Sequence, residues 1–315
     1  MTLAHVHILL NHFPTIGMIV GMGLYILSLL WKSDDVKRAS LAVLFGLAAV
    51  AIPTYMTGNA AWQEISALPG VSKAAVAAHQ DAALLALAVM ELTGITARLA
   101  LWQFRRIGRI SKGIQATVLV LGAITLGLMT NAANIGGEIR HPEILAAQDV
   151  AARGGAGPAR GLVNAAAVGT FVTGTAWMWP TCETLHFVGL SLLLGVVLAV
   201  DLRMLGFMKS VSFTTLHRLL PWGILGFAMN VMTGMLFFVG APDQYTMNKA
   251  FQWKIILVLL AAVNGLYFTV LDETWVLGPG DEAPMMAKVM AGSAMLLWVA
   301  IMFCGSMLPF LGNSF

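Results

Sequence analysis

The chain has 315 residues, of which 58% are hydrophobic and only 10% charged. A soluble domain carries about 25% charged residues, so this composition excludes a soluble globular protein and indicates an integral membrane one, in line with a mean hydropathy of +0.82. The formal net charge of +3 is no nucleic-acid signature, because the basic residues fall at the ends of apolar runs, and no nucleic-acid partner is expected.

A helix needs about 20 apolar residues to cross a bilayer. Eight runs qualify, near 6–31, 38–58, 77–102, 113–135, 183–207, 217–240, 252–274 and 285–309. Open strands cannot cross lipid with unpaired backbone, so these runs are helices. The expected fold is all-α: a polytopic membrane protein of about eight transmembrane helices, arranged as two four-helix bundles. The predicted boundaries are 1–142, a linker over 143–182, and 183–315. No Lys/Arg-led segment precedes the first run and no small-residue cleavage site follows it, so it reads as a retained helix. Within the linker, Leu162 to Trp179 is apolar but broken by Gly169 and Gly174, and ends in Trp177-Met178-Trp179-Pro180. Trp favours the headgroup level, so this stretch is expected in the interface. A ninth spanning helix is the rival and would invert the second half.

Lys and Arg set the orientation. Twelve of the 18 fall on the side opposite the N-terminus, led by Arg105, Arg106, Arg109 and Lys112. By the positive-inside rule that side is cytoplasmic. Both termini are then periplasmic, in a bacterial inner membrane. On this topology six of the seven histidines lie on the outer side: His5, His7, His12, His79, His141 and His186. Only His217 is cytoplasmic. A b-type haem needs two axial imidazoles from different helices at matching depth, and small residues where the macrocycle lies flat. Gly17, Gly21, Gly23, Gly58, Gly94 and Gly136-Gly137 supply the latter. His12 with His79, and His141 with His186, are the expected haem-iron ligand pairs. Arg140 and Arg160 would meet propionates. His5 and His7 read as bystanders, and His217 as an interfacial anchor or a hydrogen-bonding cap.

Intramembrane ionisable groups are expensive and suggest function. Glu91, mid-way along the third run, is a candidate for proton or quinone contact. Glu183 shares a helix face with His186 and would orient it or accept a proton. Asp201 and Arg203 are expected to pair with each other, or Asp201 with Arg218. Asn131, Asn134, Asn230 and Asn264 read as interhelical glue. The 19 methionines raise copper transport, since thioethers select Cu(I). Met18, Met22, Met56, Met90, Met129, Met229, Met232 and Met235 are scattered, which favours core filling. The two cysteines, Cys182 and Cys304, make no CxxC, CxxCH or metal-finger spacing, so covalent c-type haem is excluded. They form either a disulfide or two isolated thiols.

Certain motifs add a resemblance. Asn11-His12-Phe13-Pro14, Thr57-Gly58, His79 and Gly136-Gly137-Glu138-Ile139-Arg140-His141-Pro142-Glu143 make the first half resemble an uncharacterised family of bacterial four-helix inner-membrane proteins. Trp179-Pro180, Glu183-Thr184-Leu185-His186, Asp201-Leu202-Arg203, Leu219-Leu220-Pro221-Trp222, Thr233-Gly234 and Lys254 make the second half look like a membrane family related in appearance to the copper-resistance D type. Families of this look accompany cytochromes and redox enzymes. The resulting expectation is an electron-transfer subunit rather than an independent enzyme. It would hold one or two haem b groups and link the quinone pool to a periplasmic cytochrome or redox enzyme, alone or within a larger complex. A copper or other metal permease and a cofactor-free membrane anchor are the alternatives.

Overall fold

The computed structural model describes residues 2–65, 73–140, 163–270, 274–275 and 277–311. Among these there is no strand, and eight helices are long and apolar enough to span a membrane. The all-α polytopic reading therefore holds. The first span is α1 (Leu3–Leu10) and α2 (His12–Leu30), and the next three are α3 (Asp34–Ile65), α4 (Lys73–Ile107) and α5 (Lys112–Arg140). A short α6 (Ala165–Gly174) precedes α7 (Met178–Met204), α8 (Phe213–His217), α9 (Leu220–Gly240), α10 (Pro242–Thr246), α11 (Lys249–Val270), α12 (Met285–Ser306) and α13 (Leu308–Leu311). At its 10 residues, α6 is about 15 Å long, half of a bilayer core. It is not a ninth span.

The helices divide into two compact units. The first comprises Met1–Gly94 and Ala116–Phe171, the second Ile95–Gln115 and Val172–Phe315. This differs from the boundaries expected from sequence, because the hairpin between the third and fourth spans belongs to the second unit. Trp102 explains the difference: its indole N–H donates to the His217 carbonyl at 2.9 Å, and its ring stacks on the His217 ring.

In the first unit, Pro14 removes a backbone N–H and the helix breaks at Asn11. Beyond the break, Pro14, Met18, Gly21, Met22, Tyr25 and Ser28 form a buried stripe, while Phe13, Ile16, Ile19 and Val20 are exposed on the other face. Helix α3 starts with Asp34 and Asp35, which suit the positive helix end and pair with Lys37 at 3.1 Å and Arg38 at 2.6 Å. It then passes Pro53 without a break. Gly94 lets α4 close on α3, since a Cβ there would collide with Ala48.

In the second unit, α7 and α9 cross glycine to glycine. A Cβ on Gly226 would lie 2.5 Å from the Gly189 carbonyl oxygen and 2.7 Å from the Leu193 nitrogen. Small residues allow such backbone approach, which substitutes for the missing hydrophobic drive between helices in lipid. Asn264 glues α11 to α12, donating to the Met290 carbonyl and the Ser293 hydroxyl. Asn230 does not glue helices; its amide donates to the Gly226 carbonyl of its own helix. The expected Asp201 ion pair does not form either. Arg203 turns away to the loops, where its Nε donates to the Val211 carbonyl at 2.7 Å and an Nη to the Asp281 carbonyl at 3.0 Å. Its guanidinium lies over the Phe213 ring. One oxygen of Asp201 is left buried without a partner. In the same loop, hydrogen bonds from Lys209 and Lys288 hold the exposed Glu282 carboxyl down at about 2.

Two outcomes follow for this fold. Gly226→Ala should lower stability by about 1–3 kcal/mol through overpacking, read by reversible unfolding in mixed micelles. The Glu282 contacts should persist from neutral pH downward and be lost only as pH falls through about 2. Chemical-shift titration of its carboxyl carbon would show this.

Candidate functional site

The site follows from how imidazoles are held. Helical side chains tilt toward the N-terminus, so the residue at i+4 covers the carbonyl at i. Glycine at i+4 leaves that carbonyl bare. This happens twice in the first unit. The His7 ring donates through Nδ1 to the Thr54 carbonyl at 2.8 Å, and the residue four further on is Gly58. A Cβ at Gly58 would sit 3.2 Å from His7 Cε1. The His79 ring donates through Nδ1 to the Ala132 carbonyl at 3.0 Å, and four residues on stands Gly136. A Cβ there would sit 2.9 Å from His79 Cε1.

A carbonyl only accepts, so each Nδ1 carries the proton. Each Nε2 is then the unprotonated, ligating nitrogen. No hydrogen bond to either Nε2 occurs among the described residues. Both rings are half-buried. Near them, buried Asp81 accepts from the Ala165 N–H at 2.7 Å and so fixes the start of α6.

The second unit uses a variant of the same device. Thr233 stands four residues after Met229, and its hydroxyl donates to the Met229 carbonyl at 2.7 Å. That proton is committed, so toward His186 Nδ1, at 2.8 Å, the hydroxyl accepts. His186 too is left with a free Nε2, tilted against Phe237. Glu183 does not orient His186; it accepts from the Trp179 indole at 3.1 Å.

His12 is exposed and donates through Nδ1 to the Ile8 carbonyl of its own turn at 3.1 Å. It lies on the outward face of the first span, whereas His7, read in the sequence as a bystander, turns inward to the Thr54 carbonyl of α3. The missed signal is a spacing. His7, Asn11, Pro14 and Met18 continue the buried stripe of the first span at helical period, whereas His12 falls beside Phe13 and Ile16 on the exposed face. His5 is exposed and bonded to Thr2. His141 and Arg160 lie outside the described residues, as do the side chains of Arg140 and Glu138, so the second expected pair stands as His186 alone. His217 is packed between Trp102 and Trp275. Glu91 is buried, with Oε1 unpartnered. Both cysteines are free thiols.

Comparison with protein-family models, curated proteins and solved structures finds no match to this chain. Among the described residues no three His, Cys, Asp or Glu side chains converge as a metal cage. In the first unit the arrangement offers two Nδ1-protonated imidazoles, His7 and His79, as nitrogen donors.

Gly58→Ala and Gly136→Ala should each push an imidazole off its carbonyl. A lost hydrogen bond of this kind costs about 0.5–1.5 kcal/mol. Nitrogen NMR of labelled histidine should show both rings protonated at Nδ1 in the parent protein, with only the ring beside the substituted glycine changed in each variant.

Proposed function

We propose that this chain is an integral b-type cytochrome, an electron-transfer subunit between the quinone pool and a periplasmic redox partner. In this reading haem is held by His7 and His79. The observation that carries it is the paired glycine-bared carbonyl. Two imidazoles come from separate spans of one unit, each fixed at Nδ1 by a backbone acceptor and each presenting Nε2. Ligand histidines in metal sites are oriented in this way by the hydrogen bond of the other nitrogen. The donor set and the small residues beneath the rings fit the group. When bound, haem would supply a one-electron carrier whose potential follows from ligation and burial.

The chain's own contribution is to hold both rings in one tautomer. It also keeps them out of bulk water and sets them near one end of the first unit. Glu91 is the buried carboxyl of the same unit and is our candidate for proton or quinone contact. The Lys and Arg asymmetry supports the reading of a bacterial inner-membrane protein with both termini periplasmic.

One observation favours copper transport as the second reading. Met18, Met22, Met56 and Met90 are all buried in the first unit with His7 and His79, which gives soft ligands an interior position. Against it, Met232 is 57% exposed while Met235 is buried, so the methionines of α9 line no common path.

Oxidised and dithionite-reduced spectra of the purified protein decide between them. A b-type α-band is expected. It should be lost in His7→Ala and in His79→Ala, and retained in His12→Ala. A fully folded, colourless preparation containing copper would reverse the choice.

A further inference from the structure

One end of the second unit is strongly basic. It is built from the turn of the hairpin 95–115, the loop after α7 and the start of α9. Some of its cations are already satisfied. Lys209 and Lys288 pair with Glu282, and buried Arg203 is bonded to loop carbonyls. Arg106, Arg109, Lys112 and Arg218 differ. All four are exposed, and among the described residues no carboxylate pairs with any of them.

Packing brings two of the four to one place. The Trp102 indole N–H donates to the His217 carbonyl at 2.9 Å, and the two rings stack. The Arg106 guanidinium lies over the same indole, 5.4 Å from its ring centre, within cation–π range. Arg218 is the residue that follows the bonded carbonyl. Through one tryptophan, an arginine of the hairpin and an arginine of the sixth span come to the same corner of the unit. Like charges gathered there without a carboxylate repel each other, and an anion relieves the repulsion. Guanidinium forks match phosphate oxygens in particular.

The surroundings decide which phosphate. Arg106 ends the third apolar span and Arg218 lies near the start of the sixth. Ile107 and Leu219 follow the two arginines directly and Trp222 stands four residues beyond Arg218, and all three are exposed. Tryptophan favours the headgroup level, so the corner lies where lipid phosphates lie. A free phosphate ion gains nothing from the apolar flank, whereas a diacyl lipid lays its chains on it. A zwitterionic lipid brings its own cation back to the arginines. A lipid of net negative charge does not, and basic pockets between spans select such headgroups.

We propose that the Arg106–Trp102–Arg218 corner binds the phosphodiester headgroup of an anionic glycerophospholipid, with acyl chain against Ile107, Leu219 and Trp222. The inference is independent of the haem reading.

Native mass spectrometry of the full-length protein, released from a neutral detergent and titrated with dioleoylphosphatidylglycerol, tests it. The first phosphatidylglycerol should bind more tightly than dioleoylphosphatidylcholine. Arg106→Gln and Arg218→Gln should each weaken that first binding about fivefold. Lys32→Gln, which removes one exposed cation from the first unit, should leave it unchanged. The three side chains are exposed, so each variant should unfold like the parent. No preference over phosphatidylcholine, or an affinity unmoved by both arginine substitutions, would overturn the proposal. Equal weakening by Lys32→Gln would replace it with diffuse surface charge. Displacement of the lipid by added ammonium phosphate at constant ionic strength would replace it with a free phosphate ion.

Discussion

An imidazole inside a membrane bundle has two nitrogens to place and no water to help. In an apolar medium an unmet donor costs several kcal/mol, so the N–H decides where the ring can go. The backbone offers carbonyls in plenty, but each is already bonded along its helix and covered by the side chain one turn on. Removing that cover is the least change that creates a site. Gly58 and Gly136 do so for His7 and His79. Thr233 reaches the same end by capping the Met229 carbonyl and passing the acceptor role outward to His186. The three ring tautomers, and with them the direction in which each free nitrogen points, depend on these three positions.

The large features were legible in sequence because they rest on length and composition. Eight apolar runs could only be helices, and their order and extent survive in the structure. The site was only partly legible. His79, His186, Gly58 and Gly136 stand out as residue types. Choosing between His7 and His12 needed the inner face of a helix in which apolar residues surround every position, and hydropathy carries no direction there. The informative pattern was one of size and shape, the Pro14, Met18, Gly21 and Tyr25 stripe, rather than one of polarity. The Asp201–Arg203 pair was a misreading of geometry. Residues two apart on a helix do not face each other, and Arg203 had three loop carbonyls within reach of its long side chain. The imidazole–carbonyl pairing was invisible because it joins positions 47 and 53 residues apart in the chain.

The same economy governs packing. Where lipid is as apolar as leucine, helices gain little from burying apolar surface and associate through close contact and a few polar bonds. Gly94 against Ala48 and Gly189 against Gly226 supply the contact. Asn264 on the Met290 carbonyl, and Thr93 with Thr125 at 2.8 Å, supply the bonds. Glycine therefore has two uses in this chain, drawing helices together and baring carbonyls, and a count of glycines cannot separate them.

Charge distinguishes the two units. The imidazoles of the first have neutral partners, a backbone carbonyl for each ring and the Thr57 hydroxyl beside His7. Two neutral donors of that kind can share one electrophilic centre without a counter-ion. The second unit gives its imidazole a hydroxyl partner, Thr233, in place of a carbonyl, and carries a lysine inside a span, Lys254. The histidines of the two units are therefore held differently, two rings on backbone carbonyls of neighbouring helices and one on a threonine hydroxyl, and a single ligand chemistry does not follow for all three.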